Sequence, residues 1–124
     1  MLGKKTWFVS HPSGGIQHTP AFFNAINRFA ELQPKVRIVF PHSEEEQVQR
    51  TKDAITAADL VLVEVSIAST GSGIELGWAN AEGKKIIAFH QGGAEPSPAL
   101  KFVTSDIQLY VTEEHVFEAL EKLL

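Results

Sequence analysis

At 124 residues the chain has the length of one domain with one core, and its 44% apolar and 21% charged residues are those of an ordinary folded protein, which excludes a disordered or collagen-like chain. Eleven Lys and Arg against fifteen Asp and Glu leave a net charge of −4, so no general positive field exists to hold a nucleic acid polymer or an anionic membrane, and a small ligand is expected instead. The absence of cysteine excludes disulfides, thiolate zinc sites and thiol nucleophiles. No apolar run approaches the roughly 18 residues of a membrane span, and the first residues lead into a strand-like run rather than a signal peptide, so a cytoplasmic protein is expected.

Thr6–Ser10 (TWFVS) is the first of five short runs rich in β-branched and aromatic residues, each of which predicts a strand. Thr19 and Pro20 then offer a capping hydroxyl and a proline at the first helical position, and Phe22, Ile26, Phe29 and Ala30 recur at helical spacing. Val36–Phe40 (VRIVF) predicts the second strand, and the capping-box pattern Ser43-Glu44-Glu45-Glu46 precedes a helix carrying Val48, Ile55 and Ala58. Leu60–Val65 (LVLVEV) predicts the third strand; Ser72-Gly73-Ile74-Glu75 fits a second capping box, and Gly83 closes the helix that follows. After the fourth strand, Lys85–Phe89, Gly92 to Pro96 reads as a loop, and Ser97-Pro98 repeats the hydroxyl-proline helix start. The fifth strand is Ile107–Val111, and Thr112 with Glu113 and Glu114 opens a last helix bearing Val116, Leu120 and Leu123. This alternation, with third and fourth strands apolar almost throughout, predicts one α/β domain over residues 1–124. Its core is a doubly wound five-stranded parallel sheet in the order 2-1-3-4-5.

In such a sheet the ligand crevice lies beyond the carboxyl ends of the strands where the order reverses, between strands one and three. The loops there are Ser10-His11-Pro12-Ser13-Gly14-Gly15 and the stretch from Ser66 to Gly73 with Ser69, Thr70, Gly71 and Ser72. Glycines let backbone N–H groups approach an anion, and hydroxyls and a helix N-terminus add donors, so phosphate is the expected guest. The same residues also make tight turns and helix caps, and neither loop is a P-loop or a G-x-G-x-x-G. Glu75 has two readings as well. It can bond back to its cap, or, flanked by Gly73 and Gly77, it can present a carboxylate nucleophile whose ionised form the helix dipole favours by about 0.3 to 1 kcal/mol.

The stretch Ala58-Asp59-Leu60-Val61-Leu62-Val63-Glu64-Val65, the stretch Ser69-Thr70-Gly71-Ser72-Gly73-Ile74-Glu75-Leu76-Gly77-Trp78-Ala79, and Gly83-Lys84-Lys85-Ile86-Ile87 together carry a resemblance. The chain resembles the nucleoside 2-deoxyribosyltransferase superfamily. That pattern has Ala-Asp before an apolar strand, Gly-x-Gly-x-Glu-Leu-Gly-x-Ala at a helix start, and Gly-Lys before the next strand. The match spans residues 58 to 89 and is looser elsewhere. Within the superfamily the chain is most similar to the 2'-deoxynucleoside 5'-phosphate N-hydrolases, through Gly14-Gly15 after the first strand, Ser69 six residues before the glutamate, and Ser97.

The resemblance implies a flavodoxin-like fold and retaining cleavage of an N-glycosidic bond. Glu75 would attack the anomeric carbon, and water or a second base would resolve the glycosyl-enzyme. It implies Gly14, Gly15, Ser69 and Ser97 as substrate or phosphate contacts, with Ser97 reaching across a homodimer or higher homo-oligomer; the two loops themselves add Ser10, His11, Ser13, Gly71 and Gly73 as candidates, His11 being equally an exposed loop histidine. The chain departs from the family pattern at Trp7, where a tyrosine approaches the glutamate, at Ser13, where an arginine stands, and at Thr51, where an aspartate stands. Candidates for the second carboxyl of such chemistry are therefore Asp53 and Glu64, whose other readings are exposed solvated groups, while Asp59 at the start of its strand reads as structural. The histidines share no metal-ligand spacing, and neither a metal nor another cofactor is expected.

The expected activity is N-glycosidic cleavage of 2'-deoxynucleoside 5'-monophosphates. The alternatives are base transfer between free nucleosides, a nucleotide-binding module without turnover, and a flavodoxin-type electron carrier.

Overall fold

Successive side chains of a strand point to opposite faces, and this alternation sorts the core into two layers. The computed structural model describes residues 4–12, 15–40 and 48–124. Along β1 (Lys5–Ser10), Trp7 and Val9 face one layer and Phe8 the other. β2 (Val36–Val39), β3 (Leu60–Glu64), β4 (Ile86–Gln91) and β5 (Ile107–Tyr110) complete a sheet whose neighbours all pair in parallel, in the order β2-β1-β3-β4-β5. Each predicted strand is present within two residues of its expected ends.

Helices cover both faces. One layer holds α2 (Pro20–Leu32) and α5 (Glu113–Glu121), whose Phe22, Ile26, Phe29, Val116 and Leu120 pack on Trp7, Val9, Leu62, Ile87 and Phe89. Across the sheet α3 (Val48–Ala57) and α4 (Thr70–Ala81) bury Ile55, Leu76 and Ala79 against Phe8, Val61, Val63 and Ala88. The doubly wound α/β architecture, flavodoxin-like in its strand order, is thus the one expected, and its apolar central strands follow from burial on both faces. Among the described residues no helix is long and apolar enough to cross a membrane.

Several local expectations need correction. Pro20 is at the start of α2, but Thr19 has φ −132° and ψ 54° and its side chain makes no cap bond. The segment after Ser97 forms a 3-10 helix, Pro98–Phe102, rather than an α-helix: Leu100 N–H donates to Ser97 O at 3.1 Å and Val103 N–H to Leu100 O at 3.0 Å, the i+3 spacing of the tighter form. A further short helix, α1 (Gly15–His18), occupies residues read as part of a glycine loop. The expected Ser43–Glu46 capping box lies outside the described residues. Gly83 closes α4 with φ +71°, as expected of a helix-ending glycine, and Thr112 caps α5 by accepting from His115 N–H at 3.2 Å.

Phe29 is fully buried and stacks on Trp7 at 5.2 Å, whereas Phe102 is 85% exposed. Phe29→Ala is expected to cost about 3–5 kcal/mol and Phe102→Ala about 0.5 kcal/mol or less in urea unfolding.

Candidate active site

Position 10 shares a sheet face with position 8, so Ser10, at the carboxyl end of β1, looks into the α3/α4 layer. Its Oγ is fully buried with the rest of the residue and donates to Glu75 Oε1 at 2.6 Å. The capping-box reading of Glu75 is thereby corrected. α4 begins at Thr70 and its cap is Ser69, which has extended backbone (φ −148°) and accepts from Ser72 N–H at 3.2 Å. Glu75 sits six residues beyond that cap, out of its reach, and is turned toward the neighbouring strand.

The expected dipole effect is also outweighed. The influence of a helix terminus fades within the first turn, and Glu75 lies past it. Burial pushes the Glu75 carboxyl above the ordinary glutamate value, while the Ser10 hydroxyl and the charge of His11 pull it partly back. His11 follows Ser10 directly. Its Nδ1 lies 3.0 Å from Pro12 O, and its ring meets Phe23 edge-on at 5.0 Å and Phe40 at 6.1 Å.

Glu64, at the carboxyl end of β3, points to the opposite face and is fully buried. Its other reading, an exposed strand-end group, is therefore overturned. Tyr110 donates its hydroxyl to Oε2, Ser66 donates its N–H to Oε1 and its hydroxyl to Oε2 at 3.0 Å, and Gln91 N–H donates to Ser66 Oγ at 2.8 Å. Burial, reinforced by the bond to Glu64, raises the Tyr110 hydroxyl well above its ordinary value and keeps it a donor. Sequence reasoning missed Tyr110, Ser66 and Gln91. The one available signal was an acidic residue in an otherwise apolar strand, which has to find partners when buried.

The remaining expected residues fall into groups. Ser69, Gly73 and Ser97 line a cavity of about 450 Å³ between the start of α4 and the 3-10 helix, together with Glu64, Thr70, Ser72, Leu76 and Val103. Ser69 and Ser97 of one chain thus share one cavity. Gly71 is exposed in the first turn of α4; a Cβ added at Gly73 or Gly77 would meet nothing within 4 Å, but positions two residues from Glu75 along a helix point away from it, so this open space lies on the solvent face of α4 and not beside the glutamate. Ser13 and Gly14 lie outside the described residues; Gly15 begins α1. Asp53 is exposed on α3 and accepts from Gln49 Nε2 at 3.0 Å, so it is not brought to Glu75. Thr51 is buried. Trp7, at the position where the family tyrosine approaches the glutamate, faces the α2/α5 layer, and Ser10, on the same face as Phe8, is the residue of β1 that bonds to Glu75. Asp59 is structural as read: Thr6 N–H donates to its Oδ2 at 2.8 Å, at the edge of the sheet away from the site.

No family model and no curated protein matches the chain in sequence. Among solved structures it is similar to the CMP N-glycosidase BcmB of Clostridium botulinum, at 24% identity and TM-score 0.65 over 93% of this chain and 98% of that one. It is also similar to a conserved protein of Enterococcus faecalis, at 13% identity and TM-score 0.71 over 98% of this chain and 100% of that one. A diflavin flavoprotein from Nostoc matches at 14% identity and TM-score 0.57, over 98% and 89%. These likenesses show the fold, which serves different chemistries.

Two outcomes follow from the two glutamates. Tyr110→Phe strips a donor from a buried carboxylate and is expected to cost about 1–3 kcal/mol in urea unfolding. A carboxyl whose folded value is raised holds its proton more tightly when folded, so its contribution is fully present below the unfolded value of 4.5 and is lost as pH rises through the folded value. Wild-type stability is therefore expected to fall relative to Glu75→Gln as pH rises above about 4.5 in paired melting curves.

Proposed function

We propose that the protein cleaves the N-glycosidic bond of 2'-deoxynucleoside 5'-monophosphates by a retaining mechanism with Glu75 as nucleophile. The observation that carries this reading is the bond from Ser10 to Glu75 Oε1, which orients the carboxylate at the carboxyl edge of the sheet between β1 and β3. Among the described residues one oxygen is held and the other is left to attack. Partial burial keeps the group weakly solvated, as a nucleophile requires, and the serine hydroxyl offsets part of the cost of its charge.

In the first step Glu75 forms a bond to C1' as the base departs; in the second, water attacks C1' and frees the carboxylate. The phosphate would lie at the start of α4, where Ser69, the N–H groups of the first turn and Ser97 offer donors. Ser10 would act on the sugar through Glu75, which it holds, and His11 remains a candidate contact for the sugar or base. A homodimer completes the proposal, as the resemblance implies. The fold shared with a CMP N-glycosidase supports the substrate class, and water as acceptor distinguishes this reading from transfer between free nucleosides.

Free base is expected by chromatography from at least one deoxynucleoside 5'-monophosphate, and Glu75→Gln is expected to lose activity by about 10⁴-fold or more. Equal rates would remove Glu75 from the chemistry, binding without base release would make the protein a nucleotide-binding module, and release only with an added acceptor base would make it a transferase.

A further inference from the structure

A buried hydroxyl without a partner marks the cavity at the start of α4. Ser72 shares a stripe of that helix with Leu76 and Ala79, is only 6% exposed, and lines the cavity with Ser69, Thr70 and Ser97. Its N–H belongs to the cap, donating to Ser69 Oγ at 3.2 Å, but among the described residues its own Oγ has no hydrogen-bond partner. An unpaired buried hydroxyl costs free energy, and alanine is the better helix former, so neither packing nor helix formation calls for a serine here. Helical side chains lean toward the N-terminus of their helix, which brings this one over the first turn, where the N–H groups of Thr70 and Gly71 have no intrahelical acceptor. Neutral donors of three kinds thus meet at one cavity: the first-turn N–H groups, the Ser69 and Ser97 hydroxyls, and Ser72 Oγ. Among the described residues its lining holds no lysine, arginine or histidine, and the oxygens of its one charged residue, Glu64, are turned to Tyr110 and Ser66.

We propose that the Ser72 hydroxyl donates directly to the 5'-phosphate and sets a preference for nucleotide over nucleoside, an inference that rests on the phosphate lying at the start of α4. Ser72 stands about 4.5 Å of helix rise before Glu75, and residues three apart are neighbours on a helix surface. The span from a 5'-phosphate to the anomeric carbon of the same nucleotide is of that order, so a ligand held by Ser72 at one end reaches Glu75 at the other. With no cation on the cavity wall, the phosphate is recognised through hydrogen bonds strengthened by its own charge, and each donor matters accordingly. The cost of the unpaired hydroxyl in the free protein is recovered when the ligand accepts from it.

The test titrates inorganic phosphate by calorimetry, at fixed ionic strength, into wild type, Ser72→Ala and Ser72→Thr. In parallel, kcat/KM is measured for a deoxynucleoside 5'-monophosphate and for the same nucleoside without its phosphate. Ser72→Ala is expected to weaken phosphate binding by about 10-fold or more and to lower the nucleotide-to-nucleoside ratio of kcat/KM by a similar factor, chiefly through KM. Ser72→Thr keeps the hydroxyl and is expected to stay within a few-fold of wild type. Without ligand, Ser72→Ala is expected to melt at or above the wild-type temperature, because it removes a buried group that has no partner, so weaker binding does not reflect poorer folding. Unchanged phosphate affinity in Ser72→Ala would overturn the proposal, the hydroxyl then meeting only water. Equal losses on nucleotide and nucleoside would place it on the sugar or base and overturn it as well. Phosphate binding that depends on Ser72 in a protein releasing no base supports the phosphate contact and overturns the chemistry assigned to Glu75 alone. A wild-type protein without measurable affinity for phosphate overturns the subsite.

Discussion

The constraint on which the structure depends is that the central strands are covered on both faces, so polar groups are admitted only where strands end. β1 and β3 are apolar through their buried middles and finish in Ser10 and Glu64, both fully buried. A buried polar group without a partner costs more than its hydrogen bond would yield, so each of these residues has to be met by something from another element. Ser10 is met by Glu75 and joins β1 to α4. Glu64 is met by Tyr110 and Ser66, which join the end of β3 to β5 and, through Gln91, to β4. Two polar clusters on opposite faces thus lock the carboxyl edge of the sheet, the edge at which this architecture places ligands.

The contrast between the clusters shows how environment separates two residues of one type. Glu64 accepts from three donors and is enclosed, which suits a fixed anchor for the loop leading to α4. Among the described residues Glu75 is met by a single hydroxyl, and it is partly exposed. The proposed nucleophile is accordingly the less saturated of the two carboxylates. Ser69 adds a further economy: its oxygen accepts the cap bond from Ser72 while its own hydroxyl proton stays available to a ligand at the cavity.

Similar folds elsewhere carry a CMP N-glycosidase and a diflavin flavoprotein, so the sheet alone does not choose between glycosidic and redox chemistry. The side chains at its carboxyl edge make the choice. Here they include a glutamate tethered by a buried serine and a set of hydroxyls around a cavity, the features on which the proposed glycosidic chemistry rests.

The sequence by itself determined the five strands, their order, the two-sided core and the candidacy of Glu75, because strand alternation and helical spacing are local patterns that a parallel sheet with covered faces leaves visible. It also marked Gly83 and Thr112, whose conformations are set within a few residues. It misread the cap of α4, which is Ser69 rather than Ser72. Which side chains meet across the sheet was decided by the folded structure alone. Trp7 and Ser10 are three residues apart and therefore face opposite layers, and Tyr110 reaches Glu64 only because β3, β4 and β5 lie side by side. Contacts over 46 and 65 positions of sequence are fixed by register and packing, and no local spacing encodes them.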